Sequence, residues 1–433
     1  MTGPVLTFLV LLVLYGLVSR RLETTILTGP IIFTVAGVIA ASFLPVEDRL
    51  DFDLNLLLWP AKLALALVLF TDATHVRVRL LFRGISLPGR LLGIAMPLVI
   101  CFGTLLGLAL FGQLSLWEAA IIGTILAPTD AGLGYAIMSS ARVPSGVRQS
   151  LNVEAGLNDG LAIPFLMLFI GLARLDEPKE QSSWVAFTAE QIGYGVVVGV
   201  LLGGAGGWLL WWSSQRGWMT DAFYQVALIA LGLLSFVIAL EIGGNEFIAP
   251  FMAGLLVKLR FEDAGEEMEG FSEAWGQSLN SFVFFVFGMV ALTELDAING
   301  LAWVYAVGSL AIVRLAAVGL ALIGSGVQRA SVVFMGWFGP RGLASVVLGL
   351  ILIKQHAEIP GQRDIEHVII ATVLLSIAAH GMTSAPGIKL YADRLRGLGP
   401  DAPEYIRTEG LTDSTGPGRS TSATGGNVPN SNS

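Results

Sequence analysis

Thirteen stretches rich in apolar side chains alternate with short polar connections along the chain. They lie at 5–17, 26–44, 56–70, 91–110, 118–139, 147–173, 188–212, 223–240, 247–259, 279–292, 303–323, 331–353 and 368–390. Each reads as a helix, because a bilayer offers no partner to an unpaired backbone group and a helix satisfies its own. Several are shorter than the roughly 20 residues a span needs, so their ends are expected to run into flanking polar sequence. The pattern predicts an all-α membrane protein with 13 transmembrane helices. An odd total of this kind divides into six, a linking seventh and six more, so that the two sets run in opposite senses through the membrane. The fifth segment then corresponds to the twelfth. Both carry helix-breaking punctuation: Ala127-Pro-Thr-Asp-Ala-Gly132 in one, Gly336-Trp-Phe-Gly-Pro-Arg-Gly342 in the other. Interrupted helices at corresponding places in two repeats point to a midplane transport site.

Composition agrees with a polytopic membrane protein. Hydrophobic residues make up 54% of the 433 and charged residues only 13%, where soluble domains carry about 25% charge. Mean hydropathy is +0.73. The net charge of −8 is spread over loops and tail, and no Lys/Arg-rich face suits nucleic acid. Cys101 is the single cysteine, which excludes an intrachain disulfide; its apolar surroundings suggest a small core residue. The chain starts without the basic region of a signal peptide, and Arg20-Arg21 follow the first apolar run. This predicts a first span with its N-terminus outside. On that orientation 15 Lys and Arg residues, among them Arg77, Arg79, Arg83, Arg142, Arg148 and Arg329, fall on the cytoplasmic side and six on the other. That asymmetry follows the positive-inside rule. The membrane domain is placed at 1–392. Residues 393–433, low in complexity beyond Gly397, are expected to form a disordered cytoplasmic tail. The mixed-charge stretch 258–269 reads as a solvated loop.

Six ionisable residues lie inside helices or at their ends: Asp72, Asp130, Glu154, Asp159, Arg314 and Arg341. Even on a lenient scale, a charge at membrane depth costs about 2.5 kcal/mol or more, so each needs a reason. Pro128 removes a backbone donor and deprives the carbonyl of Thr124 of its helical partner; Pro164 does the same to Gly160. Asp130 follows the first break, where its charge would offset the positive end of the second half-helix. Arg341 lies in the other break and would offset a negative helix end or meet a carboxylate. Glu154 and Asn158 share a helix face at i,i+4, while Asp159 is turned about 100° from Asn158. One acid can therefore be held permanently by arginine, Arg314 or Arg341, while another stays free to titrate. Asp159 is the candidate for the free acid. A buried carboxylate holds either a proton or a hard cation, and each expels the other. Asp72 reads equally as an entrance ligand and as a plain helix-end acid. Thr129 offers a hydroxyl or a helix-turn contact, and His380 reads as a packed polar contact.

Taken together, Pro128-Thr129-Asp130, Glu154-Ala-Gly-Leu-Asn158-Asp159-Gly160 and Gly339-Pro-Arg341-Gly342 resemble the cation:proton antiporters, specifically the NhaP-type sodium/proton exchangers. Leu69-Phe70-Thr-Asp72, Arg314 and His380-Gly-Met-Thr383 extend the likeness over roughly residues 5–390. The resemblance implies an NhaA/NhaP-like fold of two inverted six-helix repeats. A core of helices 4–6 and 11–13 would move against a dimer-forming domain of helices 1–3 and 8–10, with helix 7 as linker. It implies a cation site at Asp130, Asn158 and Asp159, with Thr129 and Asp72 nearby, the proton carried on Asp159, and a structural ion pair between Glu154 and Arg314. The expected activity is exchange of Na⁺, with K⁺ or Li⁺ as alternatives, for H⁺ across the inner membrane, in a homodimer and without a cofactor. An Asn-Asp pair resembles the electroneutral branch. Ala155 departs from the pattern, since a serine hydroxyl commonly follows the glutamate, and Asp72 stands where a glutamate is usual. A passive cation channel is one rival reading. The other is an intramembrane aspartyl protease built on Asp130 and Asp159, although the Gly-x-Gly-Asp signature of such enzymes is absent before Asp159.

Overall fold

The computed structural model describes residues 2–22, 25, 27–43, 54–75, 87–174, 178–260, 264–354, 359–399 and 401–406. Among these the chain is helical throughout, in the order α1 (Thr2–Leu22), α2 (Gly29–Ser42), α3 (Leu54–His75), α4 (Leu87–Leu110), α5a (Leu116–Ile125), α5b (Ala131–Met138), α6 (Ser145–Ala173), α7 (Pro178–Gln215), α8 (Asp221–Glu241), α9 (Ile248–Arg260), α10 (Ala264–Glu294), α11 (Gly300–Ala321), α12a (Arg329–Trp337), α12b (Leu343–Lys354) and α13 (Gln362–Arg394). Eight of the described helices are individually long and apolar enough to cross a membrane, and four shorter apolar ones accompany them. The loop charges Arg77, Arg79 and Arg83 lie outside the described residues.

Two bundles sort themselves out by contact. In one, α2 lies along α10, α3 along α9, and α7 against α8 and α9; in the other, α4 packs on α5a, α5a on α6, and α13 on α11 and α12b. Small residues allow the closest approaches: Gly37 of α2 abuts the backbone at Phe285 of α10, and Gly288 of α10 abuts Thr34 of α2. Where lipid removes the hydrophobic drive for helix association, such backbone-to-backbone packing supplies the attraction. The bundles meet where α3 and α7 touch α6 and where α12b touches α3 and α10. The two halves of the chain share their irregularities. α4 contains a π-turn at Leu91–Ala95 and α11 one at Ser309–Val313. The fifth and twelfth helices are each broken in the middle. Local wide turns of this sort are frequent at functional places.

The structure corrects four sequence-based expectations. Pro164 sits inside an unbroken α6, so the backbone is interrupted before Asp130 but not beside Asp159. At Pro128 the carbonyl of Thr124 is taken by the amide of Ala127, a tighter turn that shifts the unpaired carbonyls onward. Cys101 is exposed on the outer face of α4 and not in the core. In the stretch 258–269, Lys258 is buried near the end of α9 and α10 begins at Ala264, so it is largely helical.

Part of the expected tail, residues 393–399 and 401–406, is described and lies against the helices. After α13 the chain turns at Gly397, at a φ of 104° that favours glycine, and Glu404 becomes fully buried. Its Oε1 accepts from the Gln328 amide at 2.6 Å and from Ser331 Oγ at 2.8 Å, at the start of α12a. Its carbonyl accepts from the Gly146 amide at 2.9 Å, while Ser145 Oγ donates to the Tyr405 carbonyl at 2.9 Å, at the start of α6. A carboxylate at a helix start satisfies orphan amides and opposes the positive helix end. The segment thus straps the ends of α6 and α12a together. Residues 407–433 lie outside the described residues.

Candidate functional site

The two broken helices cross at their breaks. The Asp130 amide donates to the Pro340 carbonyl at 2.8 Å, joining one break to the other through the backbone. Asp130 is the N-cap of α5b, with Oδ1 accepting from the Leu133 amide at 2.9 Å. Its Oδ2 accepts from the amide of Leu343, the first residue of α12b. One buried carboxylate therefore caps two half-helices, one from each half of the chain. Gly342 makes room for it, because a Cβ at that position would occupy the space of the Asp130 carboxylate.

The carbonyl ends of the breaks are served by cations and hydroxyls. Arg341, fully buried, donates through Nη1 to the carbonyls of Ala127 at 2.6 Å and Pro128 at 3.0 Å, just past the end of α5a. Ser345 Oγ donates to the Ile125 carbonyl at 2.7 Å. Of the two roles open to Arg341, the structure shows the compensation of a negative helix end; its guanidinium meets carbonyls and, among the described residues, no carboxylate. Its own amide donates to Ser376 Oγ of α13 at 2.7 Å. Ser376 Oγ is 3.1 Å from His380 Nδ1, and His380 Nε2 is 2.8 Å from the Trp337 carbonyl at the end of α12a. His380 Nδ1 also lies 2.9 Å from the Ser376 carbonyl, so each ring nitrogen faces a backbone carbonyl acceptor. His380 is the packed polar contact expected of it.

Glu154 on α6 pairs with Arg314, which follows the π-turn of α11. The contact is bidentate, with Nη1 to Oε1 at 2.9 Å and Nη2 to Oε2 at 3.0 Å. Both side chains are almost wholly buried, a setting in which the fork geometry of arginine matches both carboxylate oxygens. Arg314 Nη2 also donates to the Met335 carbonyl in the last turn of α12a, at 3.3 Å. Gly339 leaves room for the guanidinium, which a Cβ there would displace.

One turn further along α6 the polar groups are not used up. Asn158 Nδ2 donates to Thr129 Oγ1 at 2.7 Å, linking α6 to the first break. Asn158 Oδ1 and Asp159 Oδ1 are both buried and neither has a hydrogen-bond partner. A carboxylate and an amide oxygen left this way are costly unless something cationic completes them. Asp72, half-buried at the end of α3, lies against Gly156 of α6, so that a Cβ on that glycine would come within 4.0 Å of Asp72 Oδ2. Residue 156 is three before Asp159, which puts both acids on one side of α6. Among the described residues no three His, Cys, Asp or Glu side chains converge as a compact metal cluster. The structure thus brings Thr129, Asn158 and Asp159 together with Asp72 alongside, and gives Asp130 to the helix ends.

Sequence reasoning missed Glu118, Ser345, Ser376 and Glu404. Glu118 is buried, closes a capping box with Ser115 on α5a, and accepts from the Gly361 amide at the start of α13 at 2.7 Å. The Ser115-x-x-Glu118 spacing is a readable signal for it; the others carry none.

A bundle in which two interrupted helices cross beside an unpaired buried carboxylate has the architecture of a secondary membrane transporter. Residues 7–389 match the family described as the transmembrane sodium/hydrogen exchanger, and the chain belongs to that family as a multi-pass membrane protein. It is 24% identical over 391 residues to a K⁺/H⁺ antiporter NhaP2 of Shewanella sp. (strain ANA-3), covering 87% of this chain and 64% of that protein. It therefore spans about two thirds of that relative's length, slightly less. Over 368 residues it is 27% identical to the Na⁺/H⁺ antiporter NhaP of Pseudomonas aeruginosa, covering 79% of this chain and 83% of that one. Its fold matches that of the sodium proton antiporter MjNhaP1 from Methanocaldococcus jannaschii, with a TM-score of 0.71, 20% identity, and coverage of 91% and 98% of the two chains.

Proposed function

We propose that this chain exchanges a monovalent cation for H⁺ across the membrane by alternating access, with Asp159 as the shared carrier. The observation that carries the reading is the pair of buried, unpartnered oxygens, Asp159 Oδ1 and Asn158 Oδ1, beside Thr129 and the crossing of the broken helices. A dehydrated Na⁺ or K⁺ needs oxygens of this kind, and a proton on Asp159 would answer the same deficit. The ligand set is Asp159, Asn158 and Thr129, with Asp72 at the approach. Asp130 lends charge and holds the half-helices, and Glu154–Arg314 is a structural pair. Relatives named for Na⁺ and for K⁺ leave both cations as substrates to test.

The bundle of α4–α6 and α11–α13 is the proposed moving core. The bundle of α1–α3 and α8–α10 is the proposed dimer interface, and α7 the linker, giving 13 spans with the N-terminus outside and the C-terminal strap in the cytoplasm. The strap and the basic loops at its end fit that orientation under the positive-inside rule. Both oxygens of Asp130 face backbone amides, which is the geometry of a helix cap and not of a proton-sharing protease dyad.

The test is dissipation of a pH gradient in proteoliposomes on adding Na⁺, K⁺ or Li⁺ in turn. Asp159→Asn is expected to fold and to lose all cation-driven proton movement. Clamping the membrane potential separates the rival readings. A one-for-one exchanger shows a rate nearly independent of potential, whereas a channel shows cation flux that follows the potential and moves no protons. Normal exchange by Asp159→Asn overturns the assignment.

A further inference from the structure

Away from the crossing, Arg142, Lys389, Ala392, Asp393 and Arg396 line a cavity of about 350 Å³. It lies where the loop after α5b meets the end of α13, and α5b itself packs on α13. Three cations face one carboxylate, and Asp393 is already engaged by Arg396 at 2.7 Å. Among the described residues the side chains of Arg142 and Lys389 form no ion pair. The cavity therefore presents uncompensated positive charge in a concave space large enough for a phosphate group and its ester substituent.

The surface leading up to it identifies the source of such a group. Positions 382, 385 and 389 of α13 recur at helical spacing along one face, and Arg396 follows in the turn just past the helix end. They read Met382, Ala385, Lys389 and Arg396, and each is exposed. The face passes from exposed apolar residues to exposed basic ones toward the end of the helix. Leu390, 61% exposed, lies beside it. A free phosphate would have no use for the apolar half, whereas a phospholipid fits both: acyl chain along Met382 and Ala385, headgroup phosphate among Arg142, Lys389 and Arg396. Basic pockets between helix ends at the membrane surface are suited to anionic headgroups.

We propose that this pocket binds the phosphate of an anionic phospholipid and ties the loop after α5b to the end of α13. The lipid is a stabilising ligand of the transporter, bound outside the ion pathway. Because Asp130 caps the start of α5b and α13 supplies Ser376 and His380, the site fastens the far ends of two helices whose inner parts build the crossing.

The experiment uses the purified full chain in nonionic detergent, with thermal unfolding and native mass spectrometry as readouts. Phosphatidylglycerol, phosphatidylcholine and sodium phosphate are the three probes. Phosphatidylglycerol is expected to raise the melting temperature and to remain as an adduct, and the other two are not. Arg142→Gln with Lys389→Gln, two exposed positions, should weaken retention by on the order of tenfold or more. Arg363→Gln, which removes an exposed cation from the opposite end of α13, should leave it unchanged. The proposal is overturned if the double variant retains phosphatidylglycerol like the wild type, if sodium phosphate reproduces the stabilisation, or if Arg363→Gln weakens retention equally.

Discussion

Asp130 offers the sharpest test of how the crossing is held. Its two oxygens accept backbone amides, among them Leu133 from its own half-helix and Leu343 from the other. Asp130→Ala strands both donors in a buried place, at about 1–3 kcal/mol for each. The expected loss is on the order of 2–6 kcal/mol, reduced by whatever the buried carboxylate cost in desolvation. Asp130→Asn has a single carbonyl oxygen and turns an NH₂ toward the second amide, donor against donor. It should keep one cap and lose about 1–3 kcal/mol. Water cannot easily replace the missing oxygen, because Gly342 fits directly against the carboxylate. The assay is thermal unfolding in detergent followed by the fluorescence of the 10 tryptophans. The order of stability should be wild type, then Asp130→Asn, then Asp130→Ala, while Asp159→Asn stays at or above wild type because it removes a buried charge that lacks a partner. If Asp130→Asn melts with the wild type, or if the Asn and Ala variants melt together, the double-cap reasoning is wrong.

Three more outcomes are expected. Glu154→Ala leaves Arg314 buried without its carboxylate and should destabilise by about 3–5 kcal/mol; exchanging the two, Glu154→Arg with Arg314→Glu, should restore part of the yield, and a stable but inactive Glu154→Ala would move that acid to the ion site. Gly342→Ala should disrupt the crossing by sterics alone, lowering both melting temperature and exchange, and no added cation should rescue it. Glu404→Ala should free the Gln328 amide and Ser331 hydroxyl from their acceptor and lower stability by about 1–3 kcal/mol, seen as faster amide hydrogen exchange at the starts of α6 and α12a; unchanged protection there would show that the strap holds nothing.

The broken helices were legible in the sequence because Pro128 stands beside Asp130, and Gly339-Pro340 beside Arg341, so a helix-breaking residue and a charge coincide in each apolar run. The Glu154–Arg314 pair was readable as a choice between two arginines, since an intramembrane acid at a fixed helix face needs a cation. Which arginine it takes depends on how α11 and α12a are placed around α6, and that is tertiary. The same limit hid the double role of Asp130. A cap on its own half-helix follows from position, whereas a cap on α12b requires the two breaks to touch. Pro164 misled because a proline can be absorbed within a long packed helix, which nothing in its neighbours announces. Cys101 misled because lipid-facing and core-facing positions are equally apolar in a membrane. Glu404 was invisible in a segment whose composition reads as tail.

The crossing also suggests why transport would be coupled. A helix end carries about half an elementary charge, positive at the N-terminus and negative at the C-terminus. Two half-helix N-termini meet Asp130, so roughly one positive charge faces one negative one. The carbonyl end of α5a meets Arg341, while the end of α12a is served by Arg314 and His380, and Arg314 is itself matched by Glu154. Every fixed charge at the crossing is thus answered by another fixed charge or by a helix end. Among the described residues, Asp159 keeps a buried carboxylate oxygen with no hydrogen-bond partner. On the proposed mechanism its charge is met by a proton in one direction and by a cation in the other, so the loaded site is equally neutral on both passages and no net charge moves. The unloaded site would carry a bare carboxylate through low dielectric, which is costly even with partial solvation. On that mechanism this cost, and not a gate, is what would forbid return without a passenger.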